Sequence, residues 1–184
     1  MRFAGLALST ALVTFAHPMA NFSVNQYTLI RPGAGRVDVT YVVDLAESPA
    51  FDLVRKWKLE RSSPGLRDRA ADEMRAWIGQ LRFTSANQPV APKIGRIDVA
   101  ISGGAGGLAT LRIAAELTLA PPRPSLTFED PNFENQAGWK EIVIEAGEGA
   151  SILRASHSGV DRSHQLTAYP ADRSNPPFDL RATV

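Results

Sequence analysis

Two long segments of this chain alternate between apolar and polar residues with a period of two. The apolar positions are Val37, Val39, Tyr41, Val43 and Leu45 in the first segment and Leu111, Ile113, Ala115, Leu117 and Leu119 in the second. Because successive side chains of a strand point to opposite faces, each segment predicts a half-buried β-strand. Turn-forming residues separate further predicted strands at 22–30, 82–90, 94–101, 125–129, 139–145, 150–156, 164–169 and 178–184.

Between the first hairpin and the later strands, the apolar period changes to that of a helix. Ser48-Pro49 and Ser63-Pro64 each have the form of a helix N-cap followed by a first-turn proline. After the second pair, one apolar stripe contains Leu66, Ala70, Met74, Trp77, Ile78 and Leu81. The sequence therefore predicts a mainly β fold, an antiparallel, immunoglobulin-like β-sandwich of residues 17–184, with a two-helix insertion at about 49–81.

The first 16 residues have the form of a signal peptide. A short basic start at Arg2 precedes an apolar run over residues 3–15, which is too short to span a bilayer, and Ala16 is a small residue suited to the position before a cut. An uncleaved N-terminal helix is the alternative. Cleavage after Ala16 predicts a periplasmic or otherwise extracytoplasmic, soluble chain that begins at His17 and does not insert into the membrane.

The overall composition excludes several classes of function. The 184 residues include 20 Lys and Arg against 19 Asp and Glu, so there is no basic surface of the kind that nucleic acids or anionic membranes attract. Cysteine is absent, which excludes disulfides, thiolate catalysis and thiolate metal sites. A serine–histidine–aspartate hydrolase is possible in composition, but no Gly-x-Ser-x-Gly nucleophile elbow is present. We therefore expect a single domain that is not an enzyme.

His17 is the first candidate metal ligand. Once freed by cleavage, its α-amine and imidazole could chelate copper or nickel, as in half of a histidine brace. Pro18 limits this chelation because it has no backbone N–H to deprotonate. A full brace also needs a second imidazole, from His157 or His164. The bland alternative is that His17 marks the cleavage site.

Acidic residues supply further candidate ligands in two places. Counted from Asp130, the oxygen-bearing residues Asp130, Asn132, Glu134 and Glu141 occupy positions 1, 3, 5 and 12 of a calcium-loop pattern, although the sixth position lacks its glycine. An ordered surface loop is the alternative. Asp44 and Glu47 lie where the strand at 36–45 meets the first helix, and capping of that helix is their alternative role.

Four blocks of the sequence resemble a known family. Residues 17–27 read His-Pro-Met-Ala-Asn-Phe-Ser-Val-Asn-Gln-Tyr, and residues 42–51 read Val-Val-Asp-Leu-Ala-Glu-Ser-Pro-Ala-Phe. The third block combines Asp-Pro-Asn-Phe at 130–133 with Gly-Trp-Lys-Glu-Ile at 138–142, and the fourth spans 161–163, 169–172 and 177–181. In this order they resemble the extracytoplasmic N-terminal domain of NicO-like (nickel/cobalt transporter-type) bacterial membrane proteins.

The resemblance implies a metal-transport accessory domain with an integral membrane metal transporter as its partner. The transporter domain itself does not follow within these 184 residues. The implied cargo or ligand is a divalent transition metal, Ni, Co or Cu, held weakly by residues from the set His17, Asp44, Glu47, Asp130 and Asn132. A structural interaction module without any ligand and a copper-binding protein with an N-terminal histidine brace remain the alternatives.

Overall fold

The computed structural model describes residues 19–121 and 124–184. Over these residues the chain forms nine strands and two α-helices, with 36% of residues in strands and 16% in helices. In chain order they are β1 (Val24–Pro32), β2 (Val37–Leu45), α1 (Glu47–Lys56), α2 (Leu66–Ile78), β3 (Arg82–Ser85), β4 (Gln88–Pro89), β5 (Lys93–Gly103), β6 (Ala109–Leu119), β7 (Leu126–Glu129), β8 (Lys140–Ile144) and β9 (Arg181–Thr183). The predicted mainly β class with two helices is confirmed.

The larger sheet has the strand order β5-β6-β2-β1-β8. Its neighbours are antiparallel except for β1 and β8, which run parallel with Gln26 opposite Lys140. A tight turn joins β1 to β2, in which the Gly33 N–H donates to the Arg36 carbonyl at 2.8 Å. Nearly all of β1 is buried because both faces of the sheet are covered at this strand. This strand is therefore the centre around which the candidate site is built.

The smaller sheet has the strand order β4-β3-β7-β9 and is antiparallel throughout. Phe83 and Phe128 face each other across β3 and β7 with ring centroids 5.1 Å apart. They belong to the same buried cluster as Tyr41 and Ile113 of the larger sheet and Met74 of α2. One apolar core thus joins both sheets and the helices, as the layered arrangement of a β-sandwich requires.

The two helices start at other residues than the serines that the sequence pattern suggests. The predicted N-caps Ser48 and Ser63 are wrong: α1 follows Ala46 and α2 follows Gly65, neither with a side-chain cap. The Ser48 N–H donates to the Asn21 carbonyl at 2.8 Å, so the preceding chain satisfies the helix start. The predicted apolar stripe of α2 is confirmed, because its members are buried in the core.

Irregular chain covers the outer face of the larger sheet. Leu29, Val42 and Val143 form a second buried cluster there with Leu166, which projects from the segment after β8. The predicted strand at 164–169 is wrong, since these residues form turns in which the Thr167 and Ala168 N–H groups donate to the Ser163 carbonyl. The strand predicted at 150–156 is also wrong.

Two finer expectations are not confirmed. The structure does not establish an immunoglobulin-like topology, and its parallel β1–β8 pair departs from a fully antiparallel sandwich. The predicted signal peptide over residues 1–16 and its cleavage at Ala16 lie outside the described residues.

Candidate functional site

Polar side chains from distant parts of the chain meet on the inner face of the larger sheet. We call Gln26, Tyr41, Asp130, Asn132 and Lys140 the inner polar cluster, and all five are buried. The Asp130 carboxylate accepts hydrogen bonds from the Gln26 amide at 2.6 Å and the Tyr41 hydroxyl at 2.9 Å. Lys140 Nζ donates to Gln26 Oε1 and to the Phe133 carbonyl. The cluster therefore joins β1, β2, β8 and the loop that follows β7.

Asn132 extends the inner polar cluster to the helices. Its backbone N–H donates to Asp130 Oδ1 at 2.9 Å, which closes a tight turn at the start of the loop. Its side-chain amide donates to the Trp77 carbonyl at 3.0 Å, near the end of α2. Asp130 and Asn132, both predicted as metal ligands, thus lie together, and both side chains are already hydrogen-bonded within the protein.

Burial controls the ionisation of the inner polar cluster. Loss of hydration lowers the pKa of Lys140 from 10.5 to about 8, and the Asp130 charge opposes this shift. Burial raises the pKa of Asp130 against the hydrogen bonds that it accepts, and it raises the pKa of Tyr41 well above 10. An ammonium and a carboxylate in one buried, hydrogen-bonded group compensate each other, which is how proteins tolerate charge inside the core.

A second group of polar residues lies on the outer face of the sheet. We call Tyr27, Trp139, Glu141, Asp161 and Ser163 the outer polar cluster. Glu141 accepts hydrogen bonds from the Trp139 indole at 2.8 Å, the Ser163 hydroxyl at 2.5 Å and the Arg162 N–H at 2.7 Å. The Tyr27 hydroxyl donates to Asp161 at 3.1 Å. These bonds hold the irregular segment that follows β8 against the sheet.

Asp44 and Glu47 lie on either side of the junction between β2 and α1, and both are buried. Glu47 Oε1 accepts a hydrogen bond at 2.8 Å from the N–H of Ala105, which lies in the turn before β6. A Cβ on Gly104 would lie 2.5 Å from the same oxygen, so glycine is needed for this close approach. The Asn25 amide donates to the Asp44 carbonyl at 3.5 Å.

The chain that follows His17 runs directly beside this junction. The Ala46 N–H donates to the Ser23 carbonyl at 3.1 Å, and the Ser48 N–H donates to the Asn21 carbonyl at 2.8 Å. His17 itself lies outside the described residues, only four positions before Asn21 in the sequence. Residues 21–23 are therefore fixed beside the backbone of residues 46–48 at this junction.

Three of the predicted metal ligands divide between the two faces of the larger sheet. Asp130 and Asn132 lie with Gln26 on the inner face, whereas Asp44 stands opposite Asn25, whose side chain alternates to the outer face. The residues of the calcium-loop pattern do not come together around one point. Glu141 belongs to the outer polar cluster, and Glu134 is exposed. Within residues 19–121 and 124–184, no three histidine, cysteine or acidic side chains form a group that could hold a metal ion.

The two later histidines occupy different surroundings. His157 lines a cavity of about 620 Å³ near β9, with its Nδ1 2.8 Å from the Ser156 hydroxyl and its Nε2 3.6 Å from Asp179. Arg181 lines the same cavity and pairs with Glu129 at 3.4 Å. His164 is exposed in the turn that follows Ser163. The two imidazoles thus belong to separate parts of the surface.

Lys140 is the buried residue that sequence reasoning missed. Lysine is rarely buried without a partner, so the pattern of β8 would normally direct it to solvent. The available signal was its position: it begins a strand that ends in three apolar residues, and it follows Trp139. Only the meeting of β8 with Gln26 of β1, 114 residues earlier, supplies its partner.

Comparison of the chain with protein-family models, curated proteins and solved structures gave no match. None of the helices in the described part of the chain is long and apolar enough to cross a membrane.

Proposed function

We propose that this chain is an extracytoplasmic, non-catalytic accessory domain of a nickel/cobalt-type transport system that docks onto an integral membrane transporter. What supports the proposal is the convergence of the four blocks that resemble NicO-like proteins. The first block enters β1, which pairs with β2 from the second block and β8 from the third. The fourth block reaches them through the Asp161–Tyr27 and Ser163–Glu141 hydrogen bonds. Blocks distant in sequence thus build one folded unit, as a shared domain requires.

The chemistry of the two polar clusters supports binding rather than catalysis. Apart from the half-buried Asp161, their acidic, amide and hydroxyl groups are buried and hydrogen-bonded to one another, so they stabilise the fold instead of facing a substrate. A general acid or base must reach a substrate proton within hydrogen-bond distance. The residues of the four blocks therefore suit a rigid domain whose role lies in what it binds.

We place the metal site of this proposal at the amino-terminal junction, with His17 as the main ligand and Asp44 and Glu47 as neighbouring carboxylates. The supporting observation is the pair of backbone hydrogen bonds that fixes residues 21–23 beside the backbone of Ala46 and Ser48, which flank Glu47 in the sequence. Imidazole and amine nitrogens suit nickel, cobalt and copper. Asp130 and Asn132 contribute less, because Gln26 and Tyr41 already donate to the Asp130 carboxylate.

Calorimetric titration tests the metal site. The protein beginning at a free His17 is titrated with Ni²⁺, Co²⁺ and Cu²⁺, beside His17→Ala, a Glu47→Gln variant and, as the matched control, Asp38→Asn, which changes an exposed carboxylate of β2. We expect saturable binding that His17→Ala abolishes, that Glu47→Gln weakens and that Asp38→Asn leaves unchanged. Absence of heat and of any thermal shift with all three metals would refute the metal site.

Docking is tested separately by co-expression with a NicO-like transporter. The tagged domain should co-purify with the detergent-solubilised transporter and not with an unrelated multi-span membrane protein. If the domain binds metal but never co-purifies, the accessory role is wrong. If it co-purifies without binding metal, the domain is a purely structural interaction module, the alternative raised by the sequence.

A further inference from the structure

An apolar cavity of about 300 Å³ lies between α1 and the turn that precedes β6. Its lining differs in chemistry from both polar clusters, because small and apolar side chains form most of its interior. Its walls are Ala50, Phe51, Val54, Leu59, Leu108 and Ala109. Phe51 remains 48% exposed at the entrance, although it is a large aromatic residue. An exposed apolar surface of this kind at a cavity commonly marks a binding site.

Positive charge flanks the entrance of this cavity. Arg55 and Arg61 line it, against the one carboxylate of Glu60 among the lining residues. The Arg55 guanidinium lies 5.9 Å from the centre of the Phe51 ring, and its ion pair with Asp52 at 3.6 Å joins two exposed side chains. Such surface ion pairs contribute little and exchange readily with another anion.

The glycine-rich turn before β6, residues 103–107, positions Arg61. Its guanidinium packs on Gly103, 3.4 Å from where a Cβ would lie, so a larger residue there would press on it. At the other end of the turn, Leu108 and Ala109 close the apolar wall. The cavity thus combines an aliphatic interior with guanidinium groups that can donate two parallel hydrogen bonds to a carboxylate.

We propose that this cavity binds an aliphatic carboxylate, a single unbranched chain with an anionic head, as a free monomer. The chain would occupy the space between Val54 and Leu108, and the head would accept hydrogen bonds from Arg61. The volume is at the lower end of the range of about 300–1,000 Å³ for small-molecule sites, which favours a short chain over a bulky ring system. The proposal rests on neither the metal site nor transporter docking, although Glu47 contacts the turn before β6 through Ala105.

Binding of decanoate below its micellar concentration tests the proposal by calorimetry and by amide NMR shifts. We expect saturable binding to the full chain, with shifts confined to α1 and the turn before β6. Arg61→Gln should weaken decanoate binding about tenfold, the effect of losing one charge-assisted hydrogen bond. The same variant should leave the weaker binding of neutral decanol unchanged.

Matched variants separate a specific site from general hydrophobic adhesion. Phe51→Ala should weaken decanoate binding, whereas Phe22→Ala, which removes another exposed ring from the cavity on the other side of α1, should not. Arg36 is an exposed arginine that lines another cavity, so Arg36→Gln controls for the change in net charge. The proposal would be overturned if decyltrimethylammonium bound as tightly as decanoate. It would also be overturned if neither Arg61→Gln nor Phe51→Ala weakened decanoate binding, or if the protein bound anionic lipid vesicles and not free decanoate.

Discussion

Replacement of Glu141 by alanine should detach the irregular segment from the outer face of the larger sheet. Glu141 is 4% exposed and accepts hydrogen bonds from the Trp139 indole, the Ser163 hydroxyl and the Arg162 N–H. Alanine leaves three donors without their acceptor. A hydrogen bond to a charged group contributes about 1.5–3 kcal/mol. Because such losses are not additive and burial of the carboxylate itself costs free energy, we expect a net destabilisation of about 3–5 kcal/mol.

Urea denaturation followed by tryptophan fluorescence measures this change. Since about 1 kcal/mol shifts the melting temperature of a chain of this size by about 2–4 °C, Glu141→Ala should melt about 6–20 °C lower. Limited proteolysis should also cut the segment after β8 earlier than in the unmodified protein. Protection of that segment rests on its contacts with the sheet.

Glu145→Ala is the matched control for this prediction. Glu145 directly follows β8 and pairs with Arg31 at 3.1 Å, but both side chains are exposed. Exposed ion pairs contribute about 0–1 kcal/mol, so the control should stay close to the unmodified protein. If Glu141→Ala loses no more stability than Glu145→Ala, the outer polar cluster does not hold the segment and the reasoning is refuted.

Two further predictions concern buried groups. Because the pKa of Lys140 falls from 10.5 to about 8 on folding, the unfolded chain binds more protons between these values, so stability should rise by up to about 1.4 kcal/mol per pH unit from pH 8 to 10. Denaturation across this range should show the rise in the unmodified protein and not in Lys140→Met; above pH 10 the raised pKa of Tyr41 reverses the slope. Gly104→Ala should destabilise by about 1–3 kcal/mol because its Cβ would lie 2.5 Å from the Glu47 carboxylate. Gly35→Ala adds its Cβ to open space, so it should leave the melting temperature nearly unchanged. Equal effects of the two changes would contradict the steric argument.

The strands and the helical stripe were readable because burial of one face imposes a period on the sequence. Val39 and Tyr41 alternate with polar residues in β2, and the apolar residues of α2 recur once per turn. The same reasoning failed for residues 150–156 and 164–169. At 164–169 tertiary contacts override the local β-propensity: Leu166 packs from a turn against Leu29 and Val143, and backbone hydrogen bonds form within that turn.

Sequence alone thus determined the mainly β class, the two helices and a set of candidate ligands. Only the tertiary structure decided which of those ligands lie together. Asp130 meets Gln26 and Lys140, while Asp44 and Glu47 lie beside the chain that follows His17, because strand pairing and side-chain alternation assign them to different sites. The contacts of Gln26 with Asp130 and Lys140 link residues 104 and 114 positions apart, and no local pattern encodes which side chains share a face.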